Sequence, residues 1–171
     1  MRQSCSLICN RHTELTIRLN YGNAALAGLP TRELSRLQSV QNAGARLIFS
    51  ANKYDHVSSL LRDLHWLRAP QRIDYKIAVL VYRCLRGLSP AYLSVDLRSI
   101  KDLPSRQRLR SWLSDPLAVP TSNLSTLRDR AFPNVAARFW NTLSLDVRPS
   151  CPLSTFKSRL KTEVFSRSFP D

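Results

Sequence analysis

With 171 residues, 43% of them hydrophobic, the chain is long enough for one ordinary domain around a single core. Its net charge of +14, from 26 Lys and Arg against 12 Asp and Glu, favours a polyanion, RNA or DNA, as partner. A piece of a larger nucleic-acid enzyme would keep such a charge without contacts of its own, and an anionic membrane surface would feel the same field. No apolar run approaches the roughly 20 residues that cross a bilayer, so we expect no membrane partner.

The first 17 residues show no sustained hydrophobic period, and polar residues interrupt the apolar core that a signal peptide needs. We assign them no role and expect them to be disordered or unrelated to the rest of the chain. We place the protein inside the cell, in the nucleus or the cytoplasm. The four cysteines are scattered, which argues against a disulfide framework. Cys5, Cys9 and His12 offer three zinc ligands, but no fourth follows until His56, so we expect neither metal nor cofactor.

Two helices are predicted in the first half of the chain. The first runs from Thr31 to about Ile48 with apolar residues recurring along one side. That predicted apolar side comprises Leu34, Leu37, Val40, Leu47 and Ile48. The second covers residues 57–64, where Asp55 is placed to cap the free N–H groups and Trp66 closes against the core.

The clearest helix comes next, because Pro70 suits a first turn and Gly87 suits the left-handed residue past a last turn. Apolar residues, Cys84 among them, occupy two of its sides, which predicts neighbours on both. The remaining sector, about 80° wide, carries four cations. These cations form the predicted basic ridge: Arg72, Lys76, Arg83 and Arg86. A solvated face is the commoner explanation of such a ridge, and phosphate contact is the functional one.

Less regular sequence follows this helix. Pro90 opens a single helical turn in which Tyr92 and Leu93 are predicted to bury. Residues 102–130 lose periodicity and are rich in Pro, Ser and Thr, which predicts an irregular basic loop with a short extended piece at 117–119. The arginines of this loop, which we add to the ridge as candidate phosphate contacts, are Arg106, Arg108, Arg110, Arg128 and Arg130.

Helical spacing returns in the last third of the chain. One helix is predicted near residues 131–143 with Trp140 in the core, and a last one begins at Ser154, a good N-cap residue. The pattern as a whole predicts a mostly α fold, a small domain of about five helices with an irregular loop and a short extended segment.

Residues for catalysis do not cluster along the sequence. No two acidic residues are adjacent, whereas two-metal phosphoryl transfer needs carboxylates that converge on cations about 4 Å apart. The four glycines form no phosphate loop. Neither Cys84 nor any serine stands in a nucleophile motif with a histidine. We therefore expect no catalytic residues, and an enzymatic alternative would need carboxylates brought together by the fold.

Short motifs in a fixed order carry a family resemblance. Those of the first half are Leu19–Asn23, Leu26–Pro30, Leu37–Ile48, Tyr54–Val57 and Leu61–Leu67. Those of the second half are Gln71–Ile73, Tyr75–Lys76, Val81–Tyr82, Gly87–Pro90, Tyr92–Leu93, Arg130–Phe132, Phe139–Leu143 and Phe156–Lys161. Together they resemble the C-terminal region of jockey-like and related LINE-type, non-LTR retrotransposon reverse transcriptases, over about residues 18–168.

The resemblance implies a helical domain over 18–168 that lies beyond the polymerase palm of a full-length enzyme. The chain lacks the palm's aspartate motif, so the resemblance implies RNA-directed DNA polymerase activity for a full-length parent alone. The leading hypothesis is a non-catalytic fragment whose ridge and loop cations contact RNA or DNA phosphates without sequence specificity. The alternative is a fragment that packs on a polymerase body, or a decayed copy with no independent function. Asn20, Gly22 and Gly44 depart from the residues common in the family, which is typical of a decayed copy.

Overall fold

The computed structural model describes residues 23–100, 116–120, 130–148 and 152–170. Over these residues the protein is mostly α-helical and contains no β-sheet, which confirms the predicted fold class. A 3-10 turn at Asn23–Leu26 precedes six helices: α1 Thr31–Phe49, α2 Val57–Asp63, α3 Ala69–Leu85, α4 Ala91–Ser94, α5 Phe132–Thr142 and α6 Leu153–Ser168. None of these helices combines the length and the apolar character that crossing a bilayer requires.

Two predicted segments fall largely outside this range. The N-terminal segment 1–17 and most of the basic loop 102–130 lie outside the described residues. Within the loop, the predicted extended piece at 117–119 contributes an isolated antiparallel bridge between Leu117 and Ser99, and residues 116–120, the described part of this segment, form no strand.

The chain divides into two compact units, residues 1–73 with 164–171, and residues 74–163. The sequence predicts one domain over 18–168, whereas the boundary between these units falls within α3 and again within α6.

The first unit is built around the side of α1 that buries Gln41, Gly44, Ala45 and Ile48. Ala45 and Ile48 are buried against α2 and Trp66, and Gln41 donates a hydrogen bond from Nε2 to the Leu67 carbonyl at 2.6 Å. The predicted apolar side of α1 is therefore partly wrong, since Val40 and Leu47 on that side are 59% and 61% exposed. The wheel alone cannot tell which flank of a broad apolar face a neighbouring helix will cover.

The turn around α2 differs from the prediction in its capping. Asp55 accepts a hydrogen bond from the Asn52 N–H at 2.6 Å, and the N-cap position of α2 is His56, which makes no side-chain cap bond. The predicted Asp55 cap is therefore wrong, because its carboxylate closes the preceding turn. At the other end, His65 adopts a left-handed backbone, φ 53°, that turns Trp66 into the core.

The C-terminal residues complete the first unit. Phe169 is buried, with its ring centroid 5.0 Å from that of Phe165. The guanidinium carbons of Arg62 and Arg68 lie 5.8 and 5.3 Å from the Phe169 ring centroid, and the Arg68 N–H donates to the Ser168 hydroxyl. Cation–π contacts of this kind hold the end of α6 in place.

Three aromatic rings form the centre of the second unit. Phe156 is fully buried, with its ring centroid 4.3 Å from that of Tyr82 on α3 and 6.0 Å from that of Trp140 on α5. Trp140 and Cys84 are buried, which confirms the predictions for both. The predicted Ser154 cap is wrong, because α6 already begins at Leu153.

Side chains from α5 and from the segment after it satisfy the irregular backbone of the second unit. Asn141 both accepts a hydrogen bond from the Leu117 N–H and donates one to the Leu117 carbonyl, each at 2.9 Å. The Arg148 guanidinium donates to the carbonyls of Asn141 and Leu143 at the end of α5. A cation at the C-terminus of a helix also complements its dipole.

Candidate nucleic-acid interface

The basic ridge predicted on α3 is exposed at its C-terminal end alone. Arg83 and Arg86 are exposed, Lys76 is half-buried, and Arg72 is buried at 8% exposure. Lys76, Arg83 and Arg86 belong to the second unit, and Arg72 belongs to the first. The structure therefore leaves three of the four predicted cations as candidates for phosphate contact.

Arg72 corrects the sequence-based ridge. Its guanidinium carbon lies 5.4 Å from the Trp66 ring centroid, and no described residue accepts a hydrogen bond from its Nη1. Burial lowers the pKa of Arg72 from its ordinary value, since the charged form loses its hydration. The physical reason is local. Trp66, in the segment between α2 and α3, lies over the first turn of α3. The side of α3 that the sequence places in solvent is therefore covered at Arg72.

The end of α3 is a hydrogen-bonded turn that carries two arginines. Gly87 takes a left-handed backbone, φ 65°, while its own N–H bonds to the Cys84 carbonyl and the Leu88 N–H bonds to the Arg83 carbonyl. This pair of bonds is the Schellman arrangement that terminates helices. The Arg86 guanidinium carbon lies 5.5 Å from the Tyr82 ring centroid. Because Tyr82 stacks on the buried aromatic core, Arg86 is held beside it with its charge in solvent.

The residues that follow Gly87 expose apolar side chains a few positions after these arginines in the chain. Tyr92 on α4 is 74% exposed, so the prediction that it buries is wrong, whereas Leu93 is half-buried. A helix of one turn cannot bury two adjacent side chains on the same side, and α4 turns Leu93 rather than Tyr92 toward the protein. Leu88 and Val95 are also exposed. The sequence analysis does not predict this exposed surface. The signal for it is that Pro90 and Asp96 leave room for only a short helix.

Of the five loop arginines in the predicted interface, one lies among the described residues. Arg130 is exposed two residues before α5 begins, and the other four loop arginines lie outside the described residues. Those four are Arg106, Arg108, Arg110 and Arg128. Arg98, beside the bridge to Leu117, and Lys157 and Lys161 on α6 are further exposed cations of the second unit.

An open cleft of about 500 Å³ also lies within the second unit, between the turn after α5 and the side of α6. Asp146 and Glu163 both line it, which is the pairing of acids that an enzymatic hypothesis would need. However, Glu163 accepts a hydrogen bond from the Ser144 N–H at 3.3 Å, and Arg159 donates to the Asp146 carbonyl at 2.9 Å. These polar groups thus tie the turn to the helix. Across the described residues, no three His, Cys, Asp or Glu side chains come close enough to hold a metal ion.

Comparison with known proteins gives no independent guide to this surface. No protein-family model, curated protein or solved structure matches the chain.

Proposed function

We propose that this protein is a non-catalytic relative of the C-terminal region of LINE-type reverse transcriptases that binds nucleic-acid phosphates without sequence specificity. The observation that carries the binding proposal is the pair Arg83 and Arg86, exposed at the rigid end of α3 in a chain with a net charge of +14. Lys76 and Arg130 add further charge in the same unit. The family assignment rests on the ordered sequence motifs.

Charge and rigidity together support this surface. Counterions released from nucleic acid provide the free energy of non-specific binding, and each phosphate contact contributes to it. A guanidinium that is already oriented loses less conformational entropy on binding than one on a free side chain. Arg86 is oriented by the Tyr82 ring, and the backbone beneath it is fixed by the turn at Gly87.

The salt dependence of binding tests the proposal. The logarithm of the affinity for a duplex falls against the logarithm of the salt concentration with a slope of about −0.9 per phosphate contact. The double variant Arg83→Gln/Arg86→Gln should therefore reduce the steepness of that slope by about 1.8 units. The measurement is fluorescence anisotropy with a labelled duplex between about 50 and 200 mM salt.

A matched control separates a site from a general charge effect. The double variant Lys157→Gln/Lys161→Gln removes the same charge from exposed positions on α6 of the same unit. We expect it to change the slope much less than the α3 variant. Equal slopes for the two variants would contradict an interface at the end of α3, and absence of binding at low salt would contradict the proposed function altogether.

A second candidate function is favoured by one feature of the first unit. Val40, Leu47 and Phe49 expose apolar surface along α1, which suits a segment that packs on a larger polymerase body. This hypothesis predicts concentration-dependent association of the isolated chain, measured by sedimentation velocity, that the variant Val40→Ser/Leu47→Ser abolishes. A monomer at all concentrations would count against it.

A further inference from the structure

The segment from Arg83 to Arg98 combines cations with exposed apolar side chains on one continuous stretch of the second unit. Its arginines are Arg83, Arg86 and Arg98, all exposed, and its one acid is Asp96. Its exposed apolar residues are Leu85, Leu88, Tyr92 and Val95. We refer to this stretch as the basic-apolar edge. A purely electrostatic contact with phosphates would use the arginines and leave the apolar side chains unexplained.

Tyr92 is the part of this edge that argues for a specific kind of ligand. Tyr92 is 74% exposed on α4, and two backbone bonds close this single turn, from Leu93 to the Pro90 carbonyl and from Val95 to the Ala91 carbonyl. An aromatic ring that is exposed to solvent on an ordered turn offers its flat face to a ligand.

The two forms of nucleic acid would use this edge differently. A duplex hides the faces of its bases and presents phosphates, so an exposed tyrosine ring adds little to its binding. A single strand presents unstacked bases, and a base stacked on an aromatic side chain contributes substantially to affinity whatever its sequence. Arginines beside the ring then hold the phosphates of the same strand.

The dimensions of the edge suit a short strand. Tyr92 is six positions after Arg86, so their backbones lie no more than about 20 Å apart even if the chain is fully extended. Single-stranded sites of this kind extend over about 4–16 nucleotides. The excess of three arginines over one aspartate along the edge favours a polyanion over a protein with an apolar patch.

We infer that the basic-apolar edge binds single-stranded nucleic acid, with the Tyr92 ring stacked on a base and Arg83 and Arg86 on the flanking phosphates. This inference rests on the proposed function, because it assigns the ligand class of the same site. It goes further in requiring a preference for single strands that charge alone does not create.

The test compares Tyr92→Ala with the unaltered protein on two labelled probes at one salt concentration, about 50 mM. The probes are an oligothymidylate of about 20 nucleotides and a duplex of equal length. Tyr92→Ala should weaken binding to the single strand about tenfold and leave duplex binding within about twofold. Tyr92→Phe keeps the ring and should restore the affinity for the single strand.

Tyr54 supplies the matched control. It is 91% exposed in the first unit, and its sequence neighbours Lys53 and Asp55 carry opposite charges. Tyr54→Ala should therefore leave both affinities unchanged. The two tyrosine variants remove the same ring from exposed positions, so a difference between them reports the location and not the loss of a tyrosine.

Three results would overturn the inference, and they are distinguishable from failure of the proposed function. Tyr92→Ala could lower both affinities equally, or lower neither, while the unaltered protein still binds both probes; phosphate binding would then stand without base stacking. Concentration-dependent dimers that Tyr92→Ala dissociates would make the edge a contact between copies. If the unaltered protein binds neither probe at low salt, the proposed function itself fails.

Discussion

Replacement of Arg72 by methionine tests whether this residue is buried or belongs to the exposed ridge. Arg72 is 8% exposed, and no described residue accepts a hydrogen bond from its buried Nη1. A buried donor left without an acceptor costs about 1–3 kcal/mol, and more when it is charged. Against this, the contact with the Trp66 ring contributes about 0.5–2 kcal/mol. Methionine keeps a long apolar side chain and regains about 0.3–1.5 kcal/mol through its own sulfur–aromatic contact.

The balance of these contributions predicts that Arg72→Met raises the free energy of unfolding by about 1 kcal/mol. For a chain of this size, that gain raises the Tm by about 2–4 °C. Arg83→Met is the control, because Arg83 is exposed and its replacement should not raise the free energy of unfolding but lower it by no more than about 1 kcal/mol, through the lost interaction with the helix dipole. Thermal unfolding followed by circular dichroism measures both.

The pH dependence of this gain has a definite sign. Burial destabilises the charged form of Arg72 and so lowers its pKa in the folded state. The folded state of the unaltered protein is therefore penalised below that lowered pKa, and its stability recovers only above it. Arginine stays charged in both states between about pH 5 and about pH 9, so the gain from Arg72→Met should be constant over that range. A loss of stability of about 1 kcal/mol instead would mean that the guanidinium makes net favourable contacts, which would refute the reasoning.

Substitutions at three positions test the interior of the two units by urea unfolding. Phe156→Ala should cost about 3–5 kcal/mol, because the ring is fully buried between two other aromatic rings, and a cost below about 1 kcal/mol would contradict that packing. Asn141→Asp should cost about 2 kcal/mol, since a carboxylate cannot donate to the Leu117 carbonyl, whereas Asn141→Gln tests the length of the side chain. Gln41→Leu should cost about 1–3 kcal/mol by leaving the Leu67 carbonyl without its donor, and an unchanged midpoint would exclude that bond.

The sequence predicts the helices of this protein well because local signals define them. Proline and glycine mark the ends of α3, and the burial of Trp140 follows from its helical spacing. Caps were predicted less well, because Asp55 and Ser154 have short polar side chains that can serve a turn as readily as a helix end. The structure uses Asp55 in a turn and places Ser154 inside α6.

The candidate site was only half predictable, for a different reason. A helical wheel gives the direction of each side chain but not the neighbour that it meets, so it grouped Arg72 with Arg83 although only the latter is exposed. The same limit applies to Tyr92, whose hydrophobic ring suggested burial although α4 is too short to provide it. Exposure depends on tertiary contacts, and these are not encoded in the period of one helix.

The arginines at the end of α3 also have an explanation that needs no nucleic acid. A cation at the C-terminal end of a helix interacts favourably with the helix dipole by about 0.3–1 kcal/mol; Arg83 lies in the last turn of α3, and Arg86 directly follows the helix. If that were their whole role, Arg83→Gln/Arg86→Gln would lower the Tm by a few degrees and leave the salt slope of binding unchanged. Lys157 and Lys161 lie within α6, away from its last turn, and serve no such purpose. The α6 variant therefore controls for the loss of two charges, and a reduced slope for the α3 variant alone, measured well below its Tm, reports lost phosphate contacts.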